Sequence, residues 1–456
     1  MFTKLNNISR RLAAGIFLLS AFLLPVKTEA QTIKLISDEE TELFLADILQ
    51  PIYKAAHIPF KRNNIYIVED DSLNAFVADG NNMFVNTGTL MKADNYNQIS
   101  GVLAHETGHI QGGHILRQKL KSQSLQQASL ASLIAAGVLG AVTGRPDVGI
   151  AVIMGTQSSA FYNMTAYQVQ EERSADEAAV QLLNKTNQPA TGLRDFMKKI
   201  QQQNLLSGIE ENPYFRTHPM SSERISFLSK AAEKQTFGID AKKEARFKLI
   251  QAKLRGFLDK PENTFRRYPE GNNSAAARYA RSIAYFKILN IPEALKNINS
   301  LIAEDPDNPF YHELKAQIYI ETGKIKEARR EYEKAYSLLP NSALFQINLA
   351  QALLEDNPSP RDADKIISLL NKSLVQKPDS MAWLFLSRAY GLKNDMAYSN
   401  YAAAEYSLRI GALDTAERQV KEAEKASSSR QLKLKLQDLS ARIKELQKRR
   451  REEFHG

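Results

Sequence analysis

The sequence predicts a mostly α-helical protein: an α+β domain built around a small β-sheet, followed by an α-solenoid. Three observations carry this reading. Between Asn64 and Leu90 the apolar residues alternate or cluster in short runs (Ile65, Ile67; Phe76, Val77; Met83, Phe84, Val85), which is the period of strands. On either side of that stretch the apolar spacing is helical. From about Asn273 the chain becomes repetitive, Ala-rich and helical throughout. A length of 456 residues asks for two or three domains. The divisions fall at 1–30, a leader; 31–257, the α+β domain; 258–430, the repeats with their linker; and 431–456, a basic helical tail.

The leader comes first. "MFTKLNNISRR" is a basic n-region, "LAAGIFLLSAFLLPV" an apolar core, and "KTEAQT" supplies small residues suited to cleavage after Ala30. This reads as a secretory signal peptide, too short for a stable membrane span; the alternative is an uncleaved anchor. The chain has no cysteine, which excludes lipidation at the leader, disulfides and thiolate metal sites. Such a composition suits an oxidising compartment such as a bacterial periplasm. The formal charge of +9 falls to about +6 once the leader is removed. Much of the excess lies in the C-terminal "ARIKELQKRRREEF", and the single Trp offers no stacking platform, so nucleic acid is discounted as a partner.

Helical spacing runs from about Ser37 to Ala56. "NIYIVEDDSLNAFVADGNNMFVNTGTL" then predicts two or three strands with a tight turn at Asp79–Asn82. A helix with Ile99, Val102 and Leu103 on its apolar side follows. Residues 127–153 form two nearly uncharged apolar arms around a Gly-Arg-Pro-Asp break, each too short to cross a bilayer. They read as a buried helical hairpin; the alternative is a surface for peripheral membrane contact or for covering a site. Another helix spans about Gln168 to Leu183, and helices continue to about Phe257.

The repeats are readable by position. In "FYHELKAQIYIETGKIKEARREYEKAYSLLP", Ala316, Tyr319, Gly323, Ala328, Tyr332, Ala335 and Pro340 fill the small, aromatic, turn and closing-proline places of the tetratricopeptide pattern. Weaker copies run from Ala280 to Pro306 and from Ala350 to Pro378, and Trp383, Leu386, Tyr390, Gly411, Ala416 and Ala423 mark later units. Each unit buries its small-residue face on a neighbour, which gives a solenoid with a concave binding surface.

The chemistry sits in "GVLAHETGHIQGGH", which holds His105, Glu106, His109 and His114. On a helix, His105 and His109 are four apart and share a face, so both imidazoles can reach one ion. Glu106 is offset by one residue, close enough to act as a base without ligating. A zinc ion lowers the pKa of a bound water to about 7 and needs a third protein ligand to complete a catalytic site. Were that ligand a histidine six residues after His109, position 115 would have to be His, but it is Ile115. His114 falls one residue short of that position, a shift of about 100° around a continuous helix, so it reads as a polar residue near the helix end or the cleft rim. The other route is a glutamate on a second helix, and "EERSADEAA" offers Glu171, Glu172 and Glu177.

H-E-x-x-H followed some sixty residues later by E-x-x-x-D resembles the HtpX-like and CAAX-prenyl-protease-like zinc peptidases, which are gluzincins. The resemblance implies a zincin-type metalloprotease domain with one zinc per chain, Glu172 as third ligand, and Asp176 bracing a ligand histidine. "FRTHPMSSERI" matches the family's Thr-His-Pro segment and a following arginine, which puts His218 and Arg224 at the cleft as donors to a developing oxyanion. In close relatives that histidine can instead take the fourth zinc position and hold the enzyme latent. "NAFVADGNNMFVNTGTL" resembles an edge-strand segment able to pair with extended substrate. Leader, zinc peptidase and repeats in this order resemble periplasmic members that cleave unfolded or misassembled polypeptides in outer-membrane protein assembly and use the repeats to engage that machinery. The rival expectation is a chaperone acting through the repeats, with a latent metal site.

Overall fold

The computed structural model describes residues 34–78, 81–117, 168–207, 214, 218–235 and 237–455. The leader at 1–30 and the apolar arms at 127–153 lie outside the described residues, as do positions 79 and 80 of the turn. Residues from Leu35 onward form one compact unit.

Helix α1, Glu39–Ala55, starts where Asp38 accepts the backbone N–H of Thr41 at 3.0 Å, and acidic residues fill its first turn. Both features favour a helix N-terminus. Its buried face, including Phe44, Leu45, Ile48, Leu49 and Ile52, lies under a four-stranded sheet of order β1-β2-β4-β3. These strands are β1 (Leu35–Ile36), β2 (Ile65–Val68), β3 (Ala75–Ala78) and β4 (Asn82–Asn86). β2 and β4 pair in parallel, with Ile65 opposite Met83 and Ile67 opposite Val85, and those four side chains are buried. The alternate residues Tyr66, Phe84 and Phe76 stack on the other face at 4.9 and 4.8 Å. β3 pairs with β4 antiparallel and forms one edge of the sheet.

After α2 (Thr87–Lys92) comes α3 (Tyr96–Gln111), the helix carrying H-E-x-x-H, capped by Asn95. It is buried from Tyr96 to His109, because α4 (residues 168–185), α5 (Thr191–Ser207) and the sheet surround it. Glycines permit the close approach. A Cβ on Gly101 would lie 2.4 Å from the Leu193 nitrogen, and one on Gly108 would lie 2.7 Å from the Ala175 carbonyl oxygen. Then follow α6 (Ser222–Glu233), capped by Ser221, and α7 (Ala241–Leu258), capped by Asp240.

From Ala275 the helices come in antiparallel pairs: Ala275–Lys287 with Ile291–Glu304, Pro309–Glu321 with Ile325–Leu338, Ala343–Glu355 with Asp362–Gln376, and Ser380–Leu392 with Met396–Arg409. Ala316, Ala328 and Ala335 are fully buried, as their small-residue role requires. Gly323 takes φ +75° at the intra-repeat turn, and Gly411 takes φ +77° in a later turn. Leu413–Ala426 and Arg430–His455 close the array; the last helix buries Leu432, Leu436, Leu439 and Ile443 and leaves basic residues outside. Among the described residues no helix is long and apolar enough to cross a membrane.

Gly101→Ala tests the helix approach. Alanine is favoured over glycine by roughly 1 kcal/mol inside a helix, yet displacing the Leu193 backbone costs roughly 1–3 kcal/mol. The melting temperature is therefore expected to fall. A melt that moved upward would contradict the tight contact.

Candidate metal centre

Four side chains from three parts of the chain point at one small volume. His105, His109, Glu172 and His218 each offer one ligand atom, all within 4.8 Å of one another, and all four residues are buried. His105 and His109 come from one face of α3, with their Nε2 atoms 3.2 Å apart. Glu172 comes from α4, with Oε1 3.2 Å from His109 Nε2 and 2.9 Å from His218 Nδ1. His218 lies just before α6, with Nδ1 3.5 Å from His105 Nε2. The Tyr214 ring stacks on it at 4.4 Å.

These separations fit a metal. A tetrahedral ion with ligand bonds of about 2.0–2.1 Å has ligand-to-ligand edges of about 3.3 Å; four of the six separations run from 2.9 to 3.5 Å, and all lie within 4.8 Å. Three imidazoles and a carboxylate are a zinc-type donor set. The far nitrogens are also engaged. His105 Nδ1 is 2.9 Å from Asp176 Oδ1, which leaves Nε2 for the cluster. His109 Nδ1 is 2.9 Å from His114 Nδ1.

The charges around the set are ordered by burial and pairing. Burial opposes charge on His105, but bonds to Asp176 and Glu172 raise it to about 9. Burial pushes His109 down to about 3 and His114 to about 4, so both are neutral. Burial also raises the Glu106 carboxyl above the usual range, although His218 and His105 oppose the rise. A carboxylate so raised is a better proton acceptor. Glu106 stays outside the ligand cluster, with Oε1 3.5 Å from His218 Nε2. Despite burial, the neighbouring histidines hold Glu172 well below its ordinary value.

Each residue singled out in the sequence can now be placed. His105, His109 and Glu172 converge, Glu106 stands beside them and Asp176 backs His105. The rival carboxylates do not join: Glu171 pairs with Arg117, and Glu177 is paired with Arg173. His218 falls within the donor set. Arg224 is a departure from the expected open donor at the cleft. Its Nε and Nη2 bond the two Asp176 oxygens at 2.7 and 3.0 Å, and Nη1 reaches Glu172 Oε2 and the Pro219 carbonyl, both at 2.8 Å. The N-terminal turn of α6 directs it behind the ligands. Sequence reasoning did not find the contact of His114 with His109 or the ring of Tyr214. The cleft, a cavity of about 340 Å³, is lined by Glu106, His109, Glu172 and His218, and by Phe76 and Val77 of β3.

An H-E-x-x-H helix crossed by a second helix whose buried glutamate faces both histidines is the arrangement of a metallopeptidase. Residues 39–232 match Peptidase family M48, and the chain carries a domain of that family. Most of its length is homologous to the beta-barrel assembly-enhancing proteases. It is 27% identical to that of Escherichia coli K12 over 363 residues, covering 77% of this chain and 72% of the relative. It is 24% identical to that of Yersinia pestis over 377 residues, covering 78% and 75%. A thermophilic TPR protein of Thermus thermophilus aligns with TM-score 0.24 at 18% identity, over 42% of this chain and 91% of its own.

Asp176→Asn removes the anionic partner of His105 Nδ1. Metal affinity, measured by competition with a chromophoric chelator, is expected to fall roughly 10–100-fold. Unchanged affinity in a folded variant would remove Asp176 from the site.

Proposed function

We propose that the protein is a periplasmic zinc-dependent endopeptidase of unfolded or misassembled polypeptides, outer-membrane proteins among them, and that its repeats bind substrates or partners. The observation that carries the reading is the convergence of His105, His109 and Glu172 with Glu106 beside them. A zinc ion held by those three ligands supplies, when bound, an acidified water and a Lewis acid for the scissile carbonyl. Glu106 takes the proton of the attacking water and returns it to the leaving amine. Asp176 fixes the tautomer of His105, and Arg224 holds Asp176 and Glu172 in position. The β3 edge presents backbone groups to an extended substrate, a mode that reads little side-chain identity. The leader in the sequence and the names of the homologous proteases support the compartment and the substrate class.

One observation favours a second reading, that of an assembly factor with a latent site. His218 brings a fourth protein donor to the cluster, and four protein ligands close a zinc site. His218 then acts as a latch that leaves when substrate enters. If it instead stays at the cleft, it serves as a donor to the oxyanion.

Glu106→Gln is expected to keep stoichiometric zinc and to lose casein cleavage by at least ~100-fold; cleavage at the wild-type rate would refute the peptidase mechanism. His218→Ala separates the two readings of that residue. Faster casein cleavage identifies a latch, and lost cleavage with zinc retained identifies a catalytic role.

A further inference from the structure

We propose that His114 is a positioning residue for the metal centre: it accepts the Nδ1–H of His109 and thereby commits the Nε2 of that ligand to the ion. The proposal rests on the reading of His105, His109 and Glu172 as ligands.

The geometry carries it. The two Nδ1 atoms are 2.9 Å apart, with ring planes inclined at 76°, and both residues are buried. A neutral imidazole has one donor and one acceptor nitrogen, so two facing nitrogens bond only if one carries the proton. The duty of His109 decides which. Its Nε2 lies 3.2 Å from both His105 Nε2 and Glu172 Oε1, where an ion requires a lone pair. The proton of His109 therefore sits on Nδ1, and His114 accepts it, carrying its own proton on Nε2.

The backbone is arranged for this contact. On a continuous helix, five residues correspond to about 140° of rotation, which would carry His114 away from His109. The helix instead ends at Gln111, and Gly113 takes φ +67°, a left-handed conformation that glycine adopts without steric cost. The helix breaks there, and the imidazole of His114 packs against that of His109. Gly112 leaves the room: a Cβ there would sit 2.4 Å from His114 Nε2, and 2.8 Å from Cδ2 and from Cε1. Each residue of the Gly-Gly-His run thus has one task, namely space, helix break and acceptor. The two ligand histidines receive different acceptors, since Asp176 brings a negative charge to His105 and His114 brings none to His109.

Four full-length variants test the assignment by zinc affinity, with the ligand-field spectrum of the cobalt-substituted protein as a second readout. His114→Leu keeps bulk without an acceptor, and affinity is expected to fall roughly 10–100-fold with an altered cobalt spectrum. His114→Asn keeps an oxygen near the Nδ1 position and should stay within about threefold of wild type. Gly112→Ala should weaken binding as His114→Leu does, because the ring must move. Added to His114→Asn, which lacks Nε2 and Cε1 and keeps only an amide atom near the Cδ2 position, it should cost less than it does in the wild-type background. Wild-type affinity in His114→Leu, or an equal loss in His114→Asn, would overturn the role of His114. Equal cost of Gly112→Ala in both backgrounds would overturn that of Gly112. If the wild-type protein itself binds no zinc, it is the metal-centre reading that fails.

Discussion

The approach of two helices at Gly108 sets the candidate metal centre. His105 and His109 lie on α3, one turn apart, and Glu172 and Asp176 lie one turn apart on α4. The two pairs face each other only because Gly108 lies between the histidines and Ala175 between the carboxylates. At that crossing a Cβ would lie 2.7 Å from the Ala175 carbonyl. A larger residue would force the helices apart, and the carboxylates 2.9–3.3 Å from imidazole nitrogens would be drawn off them. Ligand spacing is therefore a property of backbone packing, and the side chains only read it out.

Charge balance depends on the same crossing. Glu172 and Asp176 are buried, and an isolated buried carboxylate is costly. Arg224 answers Asp176 through two bonds and touches Glu172, but one cation cannot neutralise both. The remaining negative charge draws a proton onto His105, which is raised to about 9. That proton stands where an ion would bind, so a dication and a proton compete for the same carboxylates. Arg224 belongs to this balance more than to the substrate. Had it faced the open cleft, the carboxylate layer behind the ligands would have lacked its counter-ion.

What was legible in the sequence follows from which constraints are local. His105 and His109 share a helical face, so their spacing exposes them; Glu172 and Asp176 share one too, but among Glu171, Glu172 and Glu177 it is the family resemblance that singles that pair out. The seven marked positions from Ala316 to Pro340 are legible because each repeat must present the same surface to its neighbour. β1 was not legible, since two residues, Leu35 and Ile36, show no period. The contact of His114 was hidden for another reason: its angular argument assumed a continuous helix, and the positive φ of Gly113 breaks it. Arg224 was legible as a residue near the cleft but not in its direction, which the entry angle of α6 decides. In the last helix, Leu432, Leu436, Leu439 and Ile443 follow an i, i+4, i+7, i+11 seam, so its packing face was present in the sequence beneath the basic composition.

The repeats meet the peptidase domain through apolar packing of Leu249 and Phe257 of α7 on the cluster around Tyr279 and Ile283, and through directional polar contacts. Lys253 of α7 pairs with Asp38, the cap of α1, and with Glu40, and lies 3.9 Å from Glu313 of the second repeat. Tyr279 of the first repeat donates to Glu40 at 3.1 Å, and Lys377 further along reaches Glu42 at 2.7 Å. One buried lysine faces three carboxylates there. Burial and the neighbouring carboxylates lift Glu313 to about 7, so the surplus charge is partly absorbed by a proton. A purely apolar junction could slide at little cost. This one loses paired charges if it shifts, and leaving a buried charge without its partner costs roughly 3–5 kcal/mol. The array is therefore held in one register against α1 and α7. Through the packing of α3 on α1 and α7, that register extends to the helix bearing His105 and His109.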